Sequence, residues 1–146
     1  MKRIALALTA IAGLIVSTAA AVPQDEWTQQ VRRLLQRAGQ TFEERGYEMT
    51  HQIYTGSLND DRNEFVSLRL SIGTQYQIMG ACDEDCSDLD LTIYGPNGAE
   101  IDEDIEMDDF PIVTVTPTRT GTYRLKVVMA TCTAEPCRYG VGVFGK

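Results

Sequence analysis

Residues 65–78 read Phe65-Val66-Ser67-Leu68-Arg69-Leu70-Ser71-Ile72-Gly73-Thr74-Gln75-Tyr76-Gln77-Ile78, and this stretch decides the fold. Val66, Leu68, Leu70 and Ile72 alternate with Phe65, Ser67, Arg69 and Ser71; Gly73-Thr74 breaks the run, and Tyr76 and Ile78 resume it. A period of two places successive side chains on opposite faces of a strand, so one face is apolar and the other meets solvent. The pattern returns downstream. Leu89, Leu91 and Ile93 alternate ahead of a Gly95-Pro96-Asn97-Gly98 turn, and Val113 and Val115 mark a further strand. Tyr123, Leu125, Val127 and Met129 follow a Thr120-Gly121 turn, and Tyr139, Val141 and Val143 come last. Short strands with one polar face and frequent turns predict a mostly β fold, an antiparallel sandwich over residues 47–146.

Upstream of Gly46 the period changes. Trp27, Val31, Leu34, Leu35, Ala38 and Phe42 step by three and four, while Arg32, Arg33, Gln36 and Arg37 fill the other positions. Residues 22–46 are therefore expected to carry one amphipathic helix, ended by Gly46. It is the most basic part of the chain, and it either covers one end of the sheets or docks a partner or an acidic stretch of the same protein. The first residues show a different signature: Lys2 and Arg3, an apolar run from Ile4 to Val16, then Ala19-Ala20-Ala21. This is the order of a cleaved secretory signal peptide, expected over residues 1–21. The apolar run is shorter than the roughly 20 residues of a spanning helix, so no membrane span is expected after cleavage. The expected location is periplasmic or extracellular.

Cleavage takes the chain from 146 to 125 residues and, with Lys2 and Arg3 gone, the net charge from −8 to −10. That length suits one domain with its own core. The acidity excludes nucleic acid, whose phosphates need a basic face. Cations, basic proteins and neutral glycans stay open as partners.

Four cysteines, Cys82, Cys86, Cys132 and Cys137, read in an exported chain as two disulfides. Of the three possible pairings the spacing favours the local ones, Cys82 with Cys86 and Cys132 with Cys137. Such short loops contribute about 2 kcal/mol each in the chain-entropy model, against about 4 for a long one. A zinc site using all four thiolates is the rival, though the spacings are not those of the usual knuckles.

Between Asp83 and Asp109 stand twelve carboxylates and no lysine or arginine. Such a run either spreads over a solvated surface or gathers a hard cation, and calcium, with six to eight oxygen ligands, suits it best. Asp88 and Asp90 are the leading candidate ligands, with Asp83, Asp85, Asp102, Asp104, Asp108 and Asp109 as further ones. If Leu89 and Leu91 point inward, Asp88 and Asp90 share the opposite face about 7 Å apart, within reach of one ion. Alternatively, one of them caps a turn.

Cys82-Asp83-Glu84-Asp85-Cys86-Ser87-Asp88-Leu89-Asp90-Leu91, Tyr94-Gly95-Pro96-Asn97-Gly98 and Gly121-Thr122-Tyr123-Arg124-Leu125-Lys126-Val127 together resemble the bacterial pre-peptidase C-terminal domain. The resemblance covers about residues 60 to 145. It implies a jelly-roll-like β-sandwich used as an accessory module of secreted proteins. It also implies calcium at the carboxylates of the D-x-D strand, which here are Asp88 and Asp90. The helix ahead of the domain and the two cysteine pairs are departures from the plain family pattern.

A nucleophilic triad needs a base, and the one histidine, His51, sits in a strand-like stretch from Met49 to Tyr54 with no serine or cysteine motif nearby. Phe65, Tyr94 and Phe144 are candidates for an aromatic binding patch on an exposed face. The expected function is thus an exported, non-catalytic accessory or binding module, calcium-stabilised, that recognises a protein or polysaccharide of the cell envelope. The alternative is a small carboxylate-dependent hydrolase, which needs two carboxyl groups roughly 5 to 10 Å apart in a concave pocket.

Overall fold

The computed structural model describes residues 25–146; residues 1–21, where a signal peptide is expected, and residues 22–24 lie outside them. One helix, α1 (Glu26–Glu44), precedes nine strands: β1 (Glu48–Met49), β2 (Tyr54–Leu58), β3 (Arg62–Leu70), β4 (Tyr76–Cys82), β5 (Cys86–Tyr94), β6 (Glu100–Asp104), β7 (Ile112–Val115), β8 (Gly121–Cys132) and β9 (Cys137–Gly145). All pairings are antiparallel. They form two sheets, one of five strands ordered β1-β9-β4-β7 with β2 also on β9, and one of four ordered β3-β8-β5-β6. The expected fold class, a mostly β sandwich behind a single helix, is what the chain forms.

The alternating residues make the core. Val66, Leu68 and Leu70 meet Tyr76, Ile78, Leu89, Leu91, Ile93, Val113, Val115, Tyr123, Leu125, Val127, Met129, Tyr139, Val141 and Val143 between the sheets. One residue of the opening stretch departs from this. Ile72 lies beyond the end of β3 and is 61% exposed, because the chain turns at Leu70 and the Ile72 N–H bonds to Thr120 Oγ1 instead of a strand. The stretch from Met49 to Tyr54 is likewise not continuous strand but a break between β1 and β2. His51 spans that break, with Nδ1 2.8 Å from Thr50 Oγ1 and Nε2 3.1 Å from the Arg69 carbonyl oxygen.

Helix α1 starts where Asp25 caps it, its carboxylate accepting the Thr28 N–H at 2.8 Å. It ends in a Schellman arrangement: Tyr47 N–H reaches Phe42 O, Gly46 N–H reaches Glu43 O, and Gly46 takes φ of +81°. The rings of Phe42 and Tyr47 meet edge to face across this end. Val31, Leu35 and Phe42 then pack on Met79, Ala81 and Phe144, a second apolar cluster on the outer side of the five-stranded sheet. Close approach is possible because β9 presents glycine there. A Cβ on Gly140 would come within 2.7 Å of Val31 Cγ1 and 2.9 Å of Leu35 Cδ1.

Both disulfides take the local pairing, Cys82–Cys86 and Cys132–Cys137. Each closes a crossover between the sheets, β4 to β5 and β8 to β9, and Cys86 lies opposite Cys132 in the β5–β8 pair. Thr133 donates both its N–H and its hydroxyl to Asp85 O, so the two clipped loops are bonded to each other.

Candidate functional site

An edge strand leaves every second N–H unpaired, and a carboxylate is the strongest acceptor a side chain can offer such a group. β6 is the edge of one sheet and β7 the edge of the other. Asp102 Oδ2 accepts the Thr114 N–H at 2.7 Å, and Asp104 Oδ2 accepts the Ile112 N–H at 2.8 Å. Asp104 also accepts the Glu106 N–H through Oδ1, and Asp108 accepts the Phe110 N–H at 2.8 Å. Three of the candidate ligands are thus engaged in joining the two sheet edges and in closing the connection between them.

Asp83, in the Cys82–Cys86 loop, is only 3% exposed. Its Oδ2 accepts the Arg138 N–H at 2.6 Å, while its own N–H donates to Arg138 O at 3.0 Å. Its Oδ1 has no partner, and burial pushes its carboxyl above the usual range, with the nearby Asp85 charge adding to the shift. Arg138 continues the chain of contacts outward through a 2.9 Å ion pair to Asp25 at the helix cap.

The pairing of β5 with β8 shifts on each side of Asp88, so the regular spacing expected of Asp88 and Asp90 is interrupted. Asp90 nonetheless feels the charge of Asp88. Both carboxyls are raised, first by burial and then by neighbouring acids: Asp108 acts on Asp88, and Asp88, Asp104 and Glu103 act on Asp90, partly offset by Lys126. Asp88 Oδ1 is buried without a hydrogen-bond partner. Asp85 and Asp109 are half-buried. Among the described residues no group of three or more His, Cys, Asp or Glu side chains is arranged to hold a metal ion.

The aromatic candidates divide. Phe144 is fully buried, stacked on Phe42 at 4.3 Å between centroids, because α1 covers the face of β9 that would otherwise meet solvent. It is therefore no part of an exposed patch. Phe65 and Tyr94 do come together, 6.2 Å apart across β8 on the outer face of the four-stranded sheet. Arg124, opposite both Ser67 and Tyr94, lays its guanidinium 4.0 Å above the Phe65 ring. Phe65 stays 46% exposed. The single helix of the described residues lies on the other sheet, so this face is open. Lys126, opposite Phe65 and Thr92, and Glu103, opposite Thr92 on β6, extend it as a row of polar groups.

The acid run also hides apolar side chains. Ile105 and Met107, 61% and 88% exposed, and Phe110 stand on the β6–β7 connection that Asp104 and Asp108 hold in shape. Alternation of acids with Ile, Met and Phe gave the only signal of this loop in the sequence.

Two disulfides mark the chain as one that matures in an oxidising environment. No helix of the described residues is long and apolar enough to cross a membrane. Compared with known proteins, the chain matches no family model and no curated sequence.

Proposed function

We propose that this protein is an exported, non-catalytic binding module that holds a polysaccharide on the open outer face of its four-stranded sheet. The observation that carries the reading is the platform of Phe65, Arg124 and Tyr94. The C–H face of a pyranose ring stacks on an exposed aromatic ring, and the neighbouring Ser67, Thr122, Lys126 and Glu103 supply donors and acceptors for its hydroxyls. A protein partner is favoured less here, because charged groups are depleted from the centres of protein interfaces and this face is rich in them. Export to the periplasm or the medium, the cleaved leader and the resemblance to the pre-peptidase C-terminal domain are parts of the same proposal. The oxidising environment that the disulfides imply supports export alone.

The test is affinity electrophoresis and titration calorimetry against cellulose, xylan, chitin, polygalacturonate and peptidoglycan, with reducing-end release followed in parallel. Saturable binding to a glycan of this panel, weakened at least tenfold in Phe65→Ala/Tyr94→Ala at unchanged melting temperature, is expected. Binding by none of them removes the polysaccharide and leaves a protein as the occupant. Steady release of reducing ends would instead establish the carboxylate hydrolase.

A second reading, stabilisation by calcium, is favoured by the unpartnered buried Oδ1 of Asp88 and by the repulsion of Asp88 by Asp108 and of Asp90 by Asp88 and Asp104. Millimolar calcium is then expected to raise the melting temperature of the wild type and not that of Asp88→Asn. An unchanged wild-type melting curve sinks this part alone.

A further inference from the structure

The end of the sandwich where the Gly95–Asn97 turn faces the segment 116–119 forms a solvent-open cavity of about 410 Å³. Small-molecule sites occupy roughly 300–1,000 Å³ and combine an apolar lining with a few placed polar groups. Here Val115 and Tyr123, both buried, lie beside Pro96 and Ile101. The Tyr123 hydroxyl is engaged, donating to Arg119 O at 3.1 Å, so Val115 and Tyr123 form a packed floor and the accessible apolar surface is that of Pro96, Ala99 and Ile101. The polar part of the lining is Thr116, Thr118 and Arg119, with Asn97 occupied in holding its own turn through the Ala99 N–H.

The charges around this cavity are unlike those of the rest of the chain. The sequence has 21 Asp and Glu residues and, from Leu70 to Thr118, no Lys or Arg. Yet no carboxylate lines the cavity, and Arg119 is the charged residue that does. The Arg119 side chain is exposed and makes no hydrogen bond or ion pair with another described residue. A guanidinium next to an apolar hollow repels cations. It gains little from a neutral group, and it pairs in a bidentate fork with a carboxylate.

We infer that this cavity binds a short apolar group ending in a carboxylate. The apolar part lies on Pro96, Ala99 and Ile101 over the floor of Val115 and Tyr123, and the carboxylate meets Arg119 with the hydroxyls of Thr116 and Thr118. A small organic acid and the C-terminus of a peptide ending in an apolar residue share this chemistry. The site is separate from the Phe65 platform and stands whether or not that face holds a glycan.

The probes are 3-phenylpropionate, its neutral alcohol 3-phenylpropanol, and a tetrapeptide ending in Phe with a free or an amidated C-terminus, each titrated by calorimetry and by NMR. Saturable binding of the acid is expected, with the alcohol at least tenfold weaker. Arg119→Gln is expected to abolish that preference at unchanged melting temperature, and Ala99→Phe, which fills the cavity, to abolish binding of both. A free-acid peptide that binds more tightly than phenylpropionate, while its amide does not, assigns the source to a chain end. Binding of phenylpropionate with exclusion of the peptide assigns it to a small acid. Equal affinity for acid and alcohol, insensitivity to Arg119→Gln, or no saturable binding of either carboxylate at millimolar concentration overturns the inference.

Discussion

Asp102 and Asp104 stand two residues apart on β6 and take their hydrogen bonds from Thr114 and Ile112, two residues apart on β7. The period of one strand thus fits the period of the other. The side chains that do this face inward at the sheet edge, opposite Ile93 and Leu91 of β5. Replacing Asp102 by alanine leaves a half-buried N–H without its acceptor, and such a loss costs about 1–2 kcal/mol. Chemical denaturation of Asp102→Ala is expected to show that loss, while Glu103→Ala, its exposed neighbour, stays within about 0.5 kcal/mol of the wild type. Equal effects at both positions would show that the carboxylates act only through their charge. The acids themselves were legible in the sequence as a run that needs compensation. Their partners were not, because which N–H of β7 faces outward is decided by its pairing with β4, some 35 residues away in the chain.

The elements were the most legible level. Alternation located the sandwich core, and the three-and-four spacing located α1, because both periods are local properties of the chain. What remained hidden was the face on which α1 settles. Gly140, Gly142 and Phe144 share one side of β9, and without a tertiary contact that side reads as solvent-facing; hence Phe144 passed for an exposed aromatic. The glycine at 140 is the residue that lets helix and strand meet. An added methyl there must displace Val31, Leu35 or the Tyr54 carbonyl, and overpacking of this kind costs about 1–3 kcal/mol. Gly140→Ala is expected to lower stability by that amount. Trp27, the one tryptophan of the chain, lies on α1 and gives the readout: its emission is expected to shift when the helix lifts before the sandwich unfolds. A variant as stable as the wild type, with an unaltered Trp27 spectrum, would show that the contact is slack.

On the scale of the whole molecule, charge and crosslinks act together. The local disulfide pairing was legible from spacing, whereas its consequence was not: both clips sit on sheet-to-sheet crossovers at one end, where the buried Asp83 is bonded to Arg138. Three carboxyls, those of Asp83, Asp88 and Asp90, are raised above their ordinary value of 3.8, each mainly by burial. One, that of Asp25, is lowered by the hydrogen bonds of the helix cap and by Arg138. A raised carboxyl takes its proton in the folded state first, so between neutrality and 3.8 the folded chain binds more protons than the unfolded one, and stability rises as pH falls. Relief of the net charge of −8 acts in the same direction. The Asp25 contribution has the opposite sign, is complete above 3.8, and is lost only as pH falls through its lowered value. The melting temperature is therefore expected to climb on mild acidification and to turn over below the ordinary carboxylate range, whereas paired acids usually make a protein weaken from the start. Asp88→Asn and Asp90→Asn are each expected to flatten the climb, and Asp25→Asn to soften the fall beneath it. A melting temperature that declines steadily from neutrality would mean that the burial of Asp83, Asp88 and Asp90 is relieved in solution, by a bound cation or by water reaching their carboxyls.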